Sequence, residues 1–140
     1  MTRRRTAAES LEAWMAAQFS GDRATCNAIM DPGFVLVEPV GLPYAGTYRG
    51  PDGYWAFFDK FLATWTDLDA SVERVFENTA GDELAIIFRI KARSARTGRA
   101  IDTTLMEHWK FRDGRLVSIA PHNFDTAQLA AVTDHKPVFA

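Results

Sequence analysis

The sequence is poor in cysteine. Cys26 is the only one among 140 residues, which excludes an internal disulfide and the disulfide-stapled secreted scaffold, and makes a reducing cytoplasm the expected compartment. No apolar run approaches the roughly 18–20 residues that a membrane helix needs. Thr2-Arg3-Arg4-Arg5 runs into alanine, glutamate and serine instead of an apolar export segment, so neither a leader nor a membrane partner is expected. Positive charge is in no excess: 16 Lys and Arg against 18 Asp and Glu give a formal net charge of −2, which argues against a nucleic-acid partner. The phosphate-cradling glycine loop, the dinucleotide fingerprint and the serine-nucleophile elbow are all missing. Cys26 has no partner motif, and His108, His122 and Asp125 do not have metal-ligand spacing. No metal and no cofactor is expected. There is no internal repeat and no low-complexity tract.

What the chain does have is apolar bulk. Hydrophobic residues make up 47%, with 10 Phe, 4 Trp and 3 Tyr, enough for one domain over residues 1–140 with a real core and room for a small cavity. Residues 1–5 read as a frayed, solvated terminus and residues 133–140 as a tail.

Helical periodicity comes first. Leu11, Trp14, Met15, Gln18 and Phe19 form one inward stripe over Thr6–Phe19. Gly21-Asp22 ends that helix, and Asp22 caps a second over Arg23–Met30, with Cys26, Ile29 and Met30 inside. Pro32 forces Asp31 out of the α region and stops the helical run. A strand, Phe34–Glu38, follows. The next stretch, Glu38 to Gly50, holds two prolines and three glycines and reads as an irregular segment wrapped over the core, suited to shaping a pocket mouth. Gly50-Pro51 then opens a third helix to about Thr64, with Tyr54, Trp55, Phe58, Phe61 and Leu62 on its apolar stripe. Alternating strands follow over Leu68–Glu77 and Glu83–Arg93, and Asp125–Val132 reads as a short last helix.

The organising stretch is a hairpin, Ile101–Phe111 and Arg115–Phe124 around Arg112-Asp113-Gly114, whose glycine suits a turn position with positive φ. Alternation puts Ile101, Thr103, Leu105, Glu107, Trp109 and Phe111 on one face. Glu107 therefore sits among apolar neighbours, where a carboxylate is costly unless it is paired, hydrogen-bonded or protonated. Thr103 and Asn123 fall on the same inner face, His108 and His122 on the outer one. A bulge near Pro121 would reverse His122.

Three helices followed by antiparallel strands read as α+β, with the helices on one side of a sheet. A strongly curved antiparallel sheet wrapped around the long third helix gives a cone-shaped barrel with one open end. Apolar residues on both faces of several strands imply that the outer face is covered as well, most simply by a second copy in a homodimer.

The order of elements and two local motifs resemble the ketosteroid-isomerase and nuclear-transport-factor-like superfamily, including its SnoaL-like branch, over nearly the whole chain. Glu38-Pro39-Val40-Gly41 is similar to the segment that carries the general-base aspartate of ketosteroid isomerases. Glu107-His108-Trp109-Lys110-Phe111 resembles the strand that opens with their oxyanion-hole aspartic acid. Trp14 stands where their catalytic tyrosine aligns, and both acids here are glutamate. The resemblance implies a conical cavity with two carboxyl groups, Glu38 as base and Glu107 as protonated donor, a pairing described for ketosteroid isomerase itself. The expected site adds Trp14, Tyr54, Phe58, Trp109, Asn123 and Thr103 as ligand contacts. The expected function is binding, and isomerisation- or cyclisation-type proton transfer, on a small hydrophobic carbonyl compound. The alternative is a non-catalytic dimerising or ligand-binding module whose aromatics are plain core, since this superfold carries many functions.

Overall fold

The computed structural model describes residues 3–136; of the two termini singled out above, residues 1–2 and 137–140 lie outside the described residues. In chain order the elements are α1 (Ala7–Ser20), α2 (Arg23–Ile29), β1 (Met30–Glu38), β2 (Gly46–Arg49), α3 (Gly50–Thr64), β3 (Trp65–Glu77), β4 (Glu83–Ser94), β5 (Ala100–Arg112), β6 (Arg115–Asn123) and α4 (Thr126–Val132).

Local chemistry sets the borders. Thr6 and Asp22 cap α1 and α2 by accepting from Glu9 N and Thr25 N, and Asp125 caps α4 by accepting from Gln128 N, each satisfying one of the amides a helix start leaves free. The β5–β6 hairpin turns on Asp113 and Gly114, at φ 52° and 77°, the paired positive-φ geometry whose twist matches that of the strands. Arg3 and Arg4 make exposed ion pairs with Glu9 and Asp113.

The six strands form one curved sheet in the order β2-β1-β6-β5-β4-β3. It departs from expectation in three ways. The sheet is mixed, because β1 pairs parallel with β6, Leu36 facing Ile119, while its other neighbours pair antiparallel. It is also open, since β2 and β3 are edges that do not meet. Lastly, the segment expected to be irregular contains β2, whose buried Tyr48 lies opposite Leu36. The first strand begins at Met30 and tolerates Pro32 because the register shifts between Met30 and Val35, and a proline is accommodated where the ladder is interrupted.

The core lies between the sheet and the helices. Trp14 of α1 is buried against Tyr54 and Trp55 of α3 and Trp109 of β5, with ring centroids 4.9, 6.3 and 5.8 Å away, edge and stacked pairs each worth about 0.5–1.5 kcal/mol beyond their burial. Phe57 of α3, absent from the expected stripe, is buried against Tyr44 and Tyr48, because β2 and its loop cover that side of the helix. Phe19 and Leu62, expected inside, are 72% and 44% exposed.

Candidate functional site

Sheet register decides which residues meet. Pro121 of β6 faces Glu107 of β5, and continuing the parallel register from Leu36 and Ile119 sets Glu38, the last residue of β1, on the other side of Pro121. The two glutamates thus flank one proline across two strand spacings, a backbone separation of about 10 Å. Pro121 fits there for a definable reason. The Phe124 N–H donates to Thr104 O, which fixes the hydrogen-bond alternation of the hairpin and makes Glu107 and Pro121 a non-hydrogen-bonded pair. The proline nitrogen therefore faces away from β5, toward the end of β1, and no ladder bond to β5 is lost. No bulge forms at Pro121, and His122 stays on the outer face, opposite Met106.

A cavity of about 400 Å³ opens between the sheet, α1 and α3. Its lining includes Glu38, Glu107, Trp14, Tyr54, Phe58, Trp109, Asn123 and Thr103. The volume lies within the range of small-molecule pockets. Sequence reasoning missed three further polar contributors, Tyr44, Gln18 and Trp65. Gln18 Nε2 donates to the Tyr54 hydroxyl at 2.6 Å, and Trp65 Nε1 donates to the Tyr44 hydroxyl at 3.2 Å. An amide within the apolar stripe of α1 was the legible sign of Gln18. Tyr44 lies in the proline- and glycine-rich loop, where no periodicity marks the inner face.

Burial dominates the electrostatics. Glu38 is 5% exposed, and loss of water, followed by the charge of Glu107, pushes its carboxyl up to about 9. Burial also raises Glu107, to about 7, against the indole N–H of Trp109, which holds it down. That N–H donates to Glu107 Oε1 at 3.0 Å, while Glu38 Oε2 is buried with no partner. A donor aimed at a carboxylate favours its ionised form, and an unpartnered buried oxygen favours the neutral acid. The donor to Glu107 and the bare oxygen of Glu38 both push toward ionisation at Glu107 before Glu38, whereas the resemblance implies Glu38 as the base. Burial sends the Tyr54 and Tyr44 phenols up as well, so both remain neutral donors.

Other candidates lie elsewhere. His108 Nε2 is 2.7 Å from Glu83 Oε1. Cys26 is buried with its thiol raised to about 11 by burial, a neutral packing group. Among the described residues there is no cluster of His, Cys, Asp and Glu able to hold a metal ion, and no helix long and apolar enough to cross a membrane.

Comparison with proteins of curated function gives no match. Among solved structures, an NTF2-like protein of Burkholderia thailandensis is 24% identical, the match covering 94% of this chain and 99% of that one with a TM-score of 0.80. TerC, co-crystallised with polyporic acid, is 21% identical over 91% of this chain and 97% of its own, with a TM-score of 0.77. A Mycobacterium tuberculosis protein in complex with estradiol-17β-hemisuccinate is 19% identical over 87% and 98%, with a TM-score of 0.68. At these identities the likeness is one of fold. The SnoaL-like domain model matches residues 11–119, most of the length over which the helices and the sheet enclose the cavity, and the chain belongs to the SnoaL-like family.

Proposed function

We propose that the chain binds a small, mostly apolar carbonyl compound in this cavity and transfers a proton on it through its own two carboxyl groups. The supporting observation is the pair itself. Two glutamates from separate strands line one aromatic cavity, and one is held by an indole N–H while the other has a buried oxygen without a partner. In this reading the Glu107 carboxylate removes a proton from the carbon next to the carbonyl. The C–H electron pair moves into a carbon–carbon double bond, and the developing oxyanion is held by the neutral Glu38 O–H. Returning the proton to another carbon completes an isomerisation. Proteins of this fold include the mycobacterial protein in complex with estradiol-17β-hemisuccinate and TerC co-crystallised with polyporic acid, which supports a ligand of that general kind.

Deuterium exchange tests the reading. The chain incubated with β-tetralone in heavy water is expected to speed deuterium incorporation beside the carbonyl, and Glu107→Gln to remove that acceleration. Binding of β-tetralone with no acceleration would leave a ligand-binding module and remove the chemistry.

The outer sheet face supports a homodimer. Phe76 and Met106 are 51% and 39% exposed there, with Ile87 half-buried between them and paired to Met106, an apolar strip that a second copy would cover.

A further inference from the structure

Among the described residues, two buried side-chain atoms lack a hydrogen-bond partner, Glu38 Oε2 and Asn123 Nδ2, and both residues line the cavity described above. The mechanism above uses the first and leaves the second unexplained. Buried donors are almost always paired, so an orphaned amide N–H marks a place that an acceptor would complete. Asn123 is well placed to act. It is the last residue of β6, opposite Leu105, and its neighbour Phe124 anchors the backbone by donating to Thr104 O. The amide is thus carried on a strand rather than on a loop, and its geometry is set before any ligand arrives. Thr103, two residues along β5 from Leu105, also lines the cavity.

The opposite part has another character. Phe19 and Leu62 line the cavity while remaining 72% and 44% exposed, so its mouth, between the end of α1 and α3, is apolar. The helices also bring polar groups to the cavity, Gln18 and Tyr54, but the Gln18 Nε2 is already given to the Tyr54 hydroxyl. The side-chain N–H group left without a partner is the Asn123 amide, on the sheet side.

We infer that Asn123 is a specificity-determining contact: its Nδ2–H donates to the ligand's carbonyl oxygen, and the ligand enters carbonyl-first with its hydrocarbon body trailing past Phe58 to the Phe19–Leu62 lip. The inference rests on the reading that the cavity takes a carbonyl compound and does not depend on turnover. An amide N–H is neutral and donates at every pH, so it selects an oxygen acceptor over a bare hydrocarbon. An alcohol oxygen accepts from the same N–H but brings an O–H that must find an acceptor of its own, whereas a ketone brings none.

Equilibrium dialysis of the full chain against three probes of one shape, naphthalene, methyl β-naphthyl ketone and β-naphthol, tests this. The ketone is expected to bind at least about tenfold more tightly than naphthalene. Asn123→Leu should weaken the ketone several-fold, leaving only the advantage that the Glu38 O–H supplies, while naphthalene stays within about twofold, which also shows that the cavity is intact. Asn123→Asp, an acceptor in place of a donor, should prefer the naphthol to the ketone. Equal binding of ketone and naphthalene by the native chain, no binding of the ketone, or a ketone preference undiminished by Asn123→Leu would each overturn the inference. Glu107→Gln separates it from the proposed chemistry: that variant should keep the ketone preference while losing exchange on β-tetralone. A chain that shows the preference but no exchange would retain this contact and lose the proton transfer.

Discussion

Trp109 donates its indole Nε1–H to Oε1 of Glu107 at 3.0 Å, from two residues further along the same face of β5. Both side chains are fixed by alternation on one strand, so the bond needs no loop to hold it. It favours the ionised form of Glu107, while Glu38, whose buried Oε2 has no partner, has no comparable donor; the proposed proton transfer accordingly takes Glu107 as the base and Glu38 as the acid.

Substitution should reveal the asymmetry. Glu107→Gln removes the base and is expected to cut exchange on β-tetralone by about a thousandfold, within the range for losing a general base. Glu38→Gln replaces one neutral donor by another and should cost no more than about tenfold. If Glu38 were the base, the two losses would be exchanged. Exchange rates of both variants at one pH decide between the assignments.

The pH profile should follow from the same pair. Exchange is expected to rise as Glu107 ionises near 7 and to fall as Glu38 ionises near 9, a bell whose limbs are properties of the coupled pair. Trp109→Phe deletes the N–H while keeping an aromatic ring. A hydrogen bond to a charged group is worth about 1.5–3 kcal/mol, so the rising limb should move upward by about 1–2 units and the falling limb should move less. A rising limb left in place would mean that the indole does not set the ionisation of Glu107.

Stability carries the same signature with a definite sign. Burial raises both carboxyls above the ordinary value of 4.5. Between that value and the folded ones the native state holds protons that the unfolded chain has released. Stability is then fully present below about 4.5 and falls as pH rises through about 7 and about 9. Urea unfolding should therefore give a lower stability at pH ~9 than at pH ~6, by an amount on the order of a few kcal/mol. Glu38→Gln, which has nothing to ionise, should flatten the alkaline part of that decline. An unchanged slope in the variant would show that Glu38 is not the group responsible.

Much of this arrangement was legible in the chain itself, and the limits have physical causes. Alternation along β5 exposed Glu107 as a carboxyl among apolar neighbours, and capping chemistry at Asp22 marked the start of α2. Alternation says which face a side chain takes and not which strand lies alongside, so the parallel pairing of β1 with β6 was not visible. Gly46–Arg49 is too short to show a period. Tyr44 was hidden for a related reason: it enters the cavity from a loop, held by the bond that Trp65 gives it. The hydrogen bond that sets the two acids apart was invisible as well, because it depends on the direction in which the Trp109 indole turns.

The outer sheet face gives a test in solution. Phe76 and Met106 lie on that face, away from the cavity, so Met106→Glu should leave ligand binding unchanged while breaking the proposed dimer. Sedimentation of the native chain at micromolar concentration is expected to give a dimer and the variant a monomer. A native monomer would leave the apolar strip without the partner proposed for it.

Gly53 links the scaffold to the site. It lies inside α3, where glycine to alanine would ordinarily stabilise by up to about 1 kcal/mol. Here a Cβ would stand 3.0 Å from the backbone carbonyl carbon of Tyr48, which cannot swing aside as a side-chain tip would. The helix and β2 must separate, and crowding of this kind costs about 1–3 kcal/mol. Gly53→Ala should therefore destabilise on balance in urea unfolding. The displacement should also reach the cavity, because the Tyr48 hydroxyl donates to Tyr44 O at 2.8 Å and Tyr44 lines the cavity wall. Weaker binding of methyl β-naphthyl ketone should accompany the loss of stability. A variant more stable than the native chain would mean that α3 and β2 yield without cost, and that the close approach at Gly53 is not what holds Tyr44 in place.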